Sequence, residues 1–196
     1  MNLDRLTQKS SEWLRGTGPE SDVVVSTRIR LARNLAEFPF TTRIEEAAKA
    51  DVAARACECF DDLAIPTKLS FIDVSTLDEL DRQFLVERQL ISRELSDGTG
   101  ARGVAISKDE DIAIMVNEED HLRVQVLRSG LTLDECWKSI DEIDDAIEQQ
   151  VAYAFHDQYG YLTACPTNVG TGTRASVMTV PSTTLTRSPS TLGSSR

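Results

Sequence analysis

Apolar side chains recur along this chain at two spacings, every third or fourth residue in some stretches and every second in others, and the switches delimit its elements. Ile44, Ala47, Ala48 and Val52 share a helical face, so a helix is predicted over 44–63, ahead of Pro66. Thr76-Leu77-Asp78-Glu79 has the form of a capping box, and Leu77, Leu80, Phe84, Arg88, Ile91 and Leu95 continue one face as a single helix ending before Gly98. Thr132-Leu133-Asp134-Glu135 repeats that form, and Leu133, Trp137, Ile140, Ile147, Val151 and Phe155 predict a long amphipathic helix. A shorter helical candidate over 3–14 is stopped by Gly16-Thr17-Gly18-Pro19.

Strand patterns fill the gaps. Val23-Val24-Val25 is β-branched and leads into arginines expected at the strand end, and 69–74 is a second candidate. Segments 103–107, 112–116 and 122–127 are divided by short acidic turns and predict consecutive antiparallel strands, with further strands near 161–164 and 174–180. Strands in runs between long helices, without regular βαβ alternation, indicate an α+β fold with an antiparallel sheet flanked by helices. The organisation expected is a short N-terminal arm (1–20), one domain (21–180) and a Ser/Thr/Pro-rich tail (181–196) whose apolar pattern is lost and which is expected to be disordered.

Composition narrows the class. A chain of 196 residues that is 40% apolar suffices for one sizeable domain. It has no run of about 18 apolar residues, which predicts no membrane span, and Met1-Asn2-Leu3-Asp4-Arg5 lacks the order of a secretory signal, so a cytoplasmic protein is expected. The formal charge of −11 speaks against a nucleic-acid partner. Its acids concentrate over 134–148, as the solvated face of a helix would have them. Cys57, Cys59, Cys136 and Cys165 lack metal-ligand spacing and the only histidines are His121 and His156, so no protein-held metal is expected.

Three separated blocks carry candidate chemistry. Arg28 and Arg30 in one segment, Arg123 in a second and Arg174 in a third offer four guanidiniums. Several fixed guanidinium forks suit a triphosphate, whose charge is spread over many oxygens, although each arginine taken alone is equally a surface residue. Glu118, Glu119 and Asp120 cluster at a hairpin turn. A guanidinium keeps its proton in water, so nitrogen attack from it needs an anchored carboxylate to hold the cation and take the proton; an exposed acidic turn is the alternative. Cys165 precedes a proline and the Gly170-Thr171-Gly172 turn, which has the form of an anion nest; a core cysteine and a plain hairpin are the alternatives. Together the blocks point to phosphoryl transfer onto a guanidinium.

These residues also carry a resemblance. Val25-Ser26-Thr27-Arg28-Ile29-Arg30-Leu31-Ala32-Arg33-Asn34, Asn117-Glu118-Glu119-Asp120-His121-Leu122-Arg123 and Cys165-Pro166-Thr167-Asn168-Val169-Gly170-Thr171-Gly172-Thr173-Arg174 together resemble the ATP:guanidino phosphotransferases, over about 20–178. The closest likeness is to the branch that acts on arginine within proteins. Members acting on free metabolites carry a substantial helical domain where this chain has residues 1–20.

The resemblance implies a phosphagen kinase catalytic-domain fold of the guanido kinase/glutamine synthetase type. It implies ATP as phosphoryl donor, with Mg²⁺ bound through the nucleotide phosphates. Nucleotide contacts would come from Ser26, Thr27, Arg28, Ile29 and Arg30, from Arg123, and from Arg174, Ala175, Ser176, Val177 and Met178. Gln89 stands where the branch often has a nucleotide-contacting histidine. Glu119 would be the catalytic base and Cys165 the thiol beside the guanidinium. The implied partners are arginine-bearing proteins and a protease chaperone system. The family pattern is not read after Met178, so a truncated or frame-altered end and a crippled kinase are expected. A small-molecule guanidino kinase and a noncatalytic nucleotide- or phosphoarginine-binding fragment remain as alternatives.

Overall fold

A computed structural model describes residues 10–181. Six strands form one antiparallel sheet. They are β1 (Val24–Arg33), β2 (Leu69–Asp73), β3 (Gly103–Ser107), β4 (Ile112–Val116), β5 (Leu122–Ser129) and β8 (Thr173–Thr179), in the order β2-β3-β4-β5-β1-β8. A two-stranded ribbon, β6 (Phe155–His156) with β7 (Gly160–Tyr161), stands apart. The helices are α1 (Glu46–Asp61), α2 (Glu79–Glu87), α3 (Arg93–Asp97) and α4 (Leu133–Glu148). None of the described helices is long and apolar enough to cross a membrane. The α+β architecture and the consecutive hairpins β3-β4-β5 are as predicted.

Alternation along the strands assigns side chains to two faces. Ile29 and Leu31 of β1, Ile114 and Val116 of β4, and Val124 and Val126 of β5 face α1 and α4, closing a core with Val52, Ala56, Ile140 and Ile147. On the opposite face α2 and α3 cover only β2, β3 and β4, packing Leu85 and Leu95 on Val104, Ile106, Ala113 and Met115. Strands β3 and β4 are therefore buried at every residue. Strand β8 is exposed at all but one.

Several local expectations are corrected. Strand β1 runs through the arginines instead of ending at them, because Ile29 and Leu31 continue its buried alternation. Thr76 does not cap a helix; it lies in a 3-10 turn, Val74–Thr76, and donates to the Asp73 carbonyl, while Asp78 caps α2 by accepting the Asp81 N–H at 2.8 Å. The single helix expected over 77–95 is broken at Gln89, which takes a left-handed φ of 62°, and Ser92 caps a fresh helix by accepting the Leu95 N–H. Thr132 precedes α4 without the side-chain cap of a capping box, its own N–H donating to the Thr27 hydroxyl. Helix α4 stops at Glu148, and Phe155 belongs to β6. Near 161–164 only Gly160–Tyr161 is a strand.

The described part of the N-terminal arm is docked. Trp13 is buried and its indole N–H donates to the Arg88 carbonyl, and the Ser11 hydroxyl donates to the buried Glu110. Residues 1–9 and 182–196, with most of the helix expected over 3–14 and nearly all of the expected tail, lie outside the described residues. The acidic run 134–148 is largely the exposed face of α4, with Asp144 as the exception.

Asp144 meets Arg33 in a buried pair, with side chains 11% and 4% exposed. The guanidinium donates from Nε and Nη2 to the carboxylate and from Nη1 to the carbonyls of Ala32 and Thr171. It also lies 3.7 Å from the centre of the Tyr161 ring. This one side chain locks α4, β1 and the glycine turn before β8. Removing one partner strands a buried charge, so Asp144→Ala should lower the unfolding free energy by about 3–5 kcal/mol in denaturant titrations. Glu58→Ala, which removes an exposed carboxylate paired with Arg55, should lower it by less than about 1 kcal/mol. Equal losses would show that the buried pair locks nothing.

Candidate functional site

Antiparallel register brings the separated arginines together. Arg30 of β1 stands opposite Arg174 of β8 on one side and Gln125 of β5 on the other, Arg28 stands opposite Ser176, and Ala32 opposite Arg123. All four arginines thus sit on the face that α2 and α3 leave open. Arg30, Arg123 and Arg174 line a cavity of about 610 Å³ whose walls include Ser92, Glu118, Glu119 and Cys165. Ser26, Arg28, Gln89, Ser176 and Met178 line an adjoining recess of about 30 Å³ floored by Trp13 and Leu127.

The electrostatics follow from crowding. Partial burial, then the charges of Arg174 and Arg123, lower the pKa of Arg28. Burial, then Arg28, Arg123 and Arg174, push Arg30 down to about 10, with Glu118 opposing. Among the described residues no carboxylate forms an ion pair with Arg28, Arg30 or Arg174. A guanidinium does not surrender its proton under ordinary conditions, so the depressed values reflect partial burial and mutual repulsion of the cations, a cost that an arriving anion would offset. Gln89 closes one side: its side-chain oxygen accepts from Arg28 at 3.1 Å and its carbonyl accepts from Gln125. The left-handed break at this residue turns both groups toward the sheet.

The hairpin joining β4 to β5 assigns its acids different tasks. Asn117 takes φ 58°, and its N–H donates to the His121 carbonyl, tightening the turn. Glu119 keeps 42% of its side chain exposed and meets Arg123 at 3.2 Å, and its carbonyl accepts from the Thr41 hydroxyl. Glu118 is buried against Arg123. Asp120 faces away from the cavity and accepts from the Asn34 side chain at 2.6 Å and from the Ala164 N–H at 2.7 Å, so it joins the hairpin to the loop carrying Cys165. His121 is fully buried. Its Nδ1 accepts the Leu35 N–H, so Nε2 carries the proton and donates to the Pro39 carbonyl, and burial lowers its pKa.

The cysteines separate by surroundings. Burial raises the pKa of Cys57 and Cys136 and pushes Cys59 up to about 11, so these three remain thiols at neutral pH. Cys165 lines the cavity, its sulfur 3.0 Å from the Thr167 hydroxyl at the start of a 3-10 turn, Pro166–Asn168. Of the expected anion nest, the Gly170 amide is committed elsewhere. Gly170 uses both its N–H and its carbonyl to pair with Tyr161, and the Gly172 carbonyl accepts the Ala32 N–H at 2.9 Å. Gly172 takes φ +65°, and a Cβ there would lie 2.6 Å from the Ala32 carbonyl oxygen, so the position requires glycine for close approach to β1.

Four expected nucleotide contacts present their side chains elsewhere. Thr27 donates to the Gly130 carbonyl and accepts the Thr132 N–H, fixing the start of α4, and Ile29 is in the core. Ala175 and Val177 pair with Ile29 and Thr27 across β8 and share that opposite face. Motif reading named Asn34 and Asp120 without their supporting roles, and it missed the role of Ser92. The signal at Ser92 was a cap residue three before Leu95.

Comparison with known proteins places the chain in a family. The protein-arginine kinase of Symbiobacterium thermophilum is 50% identical over 181 residues, covering 88% of this chain and 50% of that protein. That of Halothermothrix orenii is 45% identical over 179 residues, covering 91% and 51%. The chain therefore spans about half the length of these curated relatives. The duplicated taurocyamine kinase of Schistosoma mansoni, solved with bound transition-state-analogue components, superposes with a TM-score of 0.77 at 25% identity, covering 87% of this chain and 26% of that one. The profile of the ATP:guanido phosphotransferase C-terminal catalytic domain matches residues 51–192, running past residue 178 where the motif resemblance was read to stop. With that match, and with the family's motifs gathered around one cavity, the chain belongs to the ATP:guanido phosphotransferases.

Proposed function

We propose that the chain transfers the γ-phosphoryl group of ATP to the guanidinium of arginine residues in proteins. The observation that carries this reading is the open face on which three adjacent strands hold four arginines, with Arg30, Arg123 and Arg174 lining one cavity with Glu119 and Cys165 and Arg28 lining a second recess on the same face. The arginine forks would take phosphate oxygens and balance the charge of the transferring group. Magnesium, arriving on the nucleotide, would supply further neutralisation of the phosphates. The donor set fits a polyphosphate, since three of the four guanidiniums lack a carboxylate among the described residues.

Transfer forms a nitrogen–phosphorus bond as the bond from the γ-phosphorus to the β-bridging oxygen breaks, with ADP leaving. Glu119 holds the acceptor cation and takes the proton that the attacking nitrogen loses. Cys165 stands where its sulfur would face the same guanidinium, whose charge would favour a thiolate. Relatives named protein-arginine kinase are 43–50% identical, against 25–26% for the taurocyamine kinase structures, and this favours protein-borne arginine over a free metabolite. The resemblance adds a protease chaperone system as the partner class, open to test by co-purification, and a cytoplasmic setting.

The test is transfer of labelled γ-phosphate from Mg-ATP to an arginine-rich protein by the purified chain, acid lability marking phosphoarginine. Glu119→Gln should reduce transfer about 10²–10⁴-fold, with Mg-ATP affinity changed less than about threefold. Nucleotide binding with no transfer to protein, unaffected by Glu119→Gln, would overturn the enzymatic reading. Transfer to free arginine or taurocyamine alone would overturn the protein substrate. Arg30→Ala should weaken Mg-ATP binding by about tenfold or more in calorimetry, the loss of charge-assisted hydrogen bonds. Cys165→Ser should lower the transfer rate while leaving the denaturant midpoint in place; the reverse pattern would return Cys165 to a packing role.

A further inference from the structure

Glu118 is the carboxylate for which the proposed transfer has no use, yet it is the more deeply held of the pair. Its side chain is 1% exposed, and three donors converge on it. Arg123 Nη1 and the Ser92 hydroxyl each donate to Oε1 at 2.5 Å, and the Glu119 N–H donates to Oε2 at 3.1 Å. Arg123 in turn holds the Glu119 carboxylate through Nη2. Glu118 therefore fixes both the backbone of the candidate base and the guanidinium that orients its side chain.

Ser92 stands at the outer end of this network. Its oxygen accepts the Leu95 N–H at 3.0 Å, so its single proton is directed to Glu118. Leu95, fully buried, belongs to the core that α2 and α3 build on β2–β4. One hydroxyl thus starts a helix of the covering layer and orients a buried carboxylate in the site wall. Resting on the phosphoryl-transfer reading above, we propose that Ser92 is a positioning residue which, through Glu118, sets the orientation of Arg123 and Glu119 for transfer. A carboxylate offers about four acceptor positions. Without the Ser92 proton, Oε1 is left to Arg123 alone, and the guanidinium can turn away from both Glu119 and the phosphate face. Misplacement by about 1 Å at a reacting centre is enough to slow transfer by up to about a hundredfold.

Three substitutions separate this role from helix capping. Threonine keeps both the cap and the donated proton. Aspartate keeps a cap, since its carboxylate accepts the Leu95 N–H well, but has no proton to give and sets a like charge against Glu118. Alanine loses both. In the full 196-residue chain, Ser92→Thr should keep kcat within about twofold, while Ser92→Ala and Ser92→Asp each lower it about tenfold. KM for Mg-ATP should move less than about threefold, because Arg28, Arg30 and Arg174 remain. In NMR spectra of the free protein, the slowly rotating Arg123 guanidinium signal, assigned with Arg123→Lys, should persist in Ser92→Thr and disappear in the other two.

Ser92→Asp matching the unsubstituted chain in kcat and in the Arg123 signal would reduce Ser92 to a helix cap and overturn the inference. Ser92→Thr losing as much as Ser92→Ala would do the same. If the unsubstituted chain transfers no phosphoryl group, the proposed function fails and the inferred role in transfer fails with it. The Arg123 signal then decides separately whether Ser92 orients that guanidinium.

Discussion

Successive side chains leave a strand on opposite sides, and in β1 this one constraint serves the core and the site together. Ile29 and Leu31 are buried against α1 and α4, while Arg28 and Arg30, between and beside them, emerge on the open face. A slip of one residue would put guanidiniums in the core and aliphatic groups in the cavity, at the prohibitive cost of burying unpaired charge. The register with β5 and β8 is thus held by the hydrophobic face, and the arginine face inherits its geometry. Arg33, at the end of the same strand, points inward and is tolerated because Asp144 and two carbonyls meet its donors.

The second constraint is the incomplete cover of the opposite face. Helices α2 and α3 pack on β2–β4 and stop at the boundary with β5, where Gln89 turns left-handed and Ser92 restarts the helix. The wall of the cavity is therefore the edge of a packed layer, and the residues at that edge touch both the second core and the site. Rigid support for a charged site needs such an edge: the groups must be held by packing, yet stay open to an anion on one side.

Much of the architecture was legible because its signals are repetitive. The helix near 46–61 and the three hairpin strands each show several residues in phase, and antiparallel order follows from the short acidic turns between them. Errors fell where a single polar residue decides. Thr76 and Asp78 both look like caps, and the choice depends on Asp73, which binds the Ser75 N–H and fixes a 3-10 turn first. The break at Gln89 follows from no local propensity; it answers to the sheet below, which supplies Arg28 and Gln125 as its partners. The site showed the same division. Residue types and motifs pointed to Arg28, Arg30, Glu119, Arg123, Cys165 and Arg174, whereas Thr27 and Ile29 were included for their place in a motif and turn to the other face. The supports Asn34 and Asp120 act across 86 residues of chain, a distance no periodicity can register.

Strand β8 is an edge strand among the described residues, paired to β1 on one side only, and it is the element that brings Arg174 opposite Arg30. With little burial of its own, it is held mainly by backbone ladders and by the turn that Arg33 pins, so it occupies the low end of the local stability scale within the sheet. An anion bridging Arg30 and Arg174 would add a cross-strand link that the polypeptide lacks. Ligand affinity and edge-strand order are then two expressions of one equilibrium: whatever frays β8 weakens the anion's hold, and the anion returns the difference as resistance to fraying.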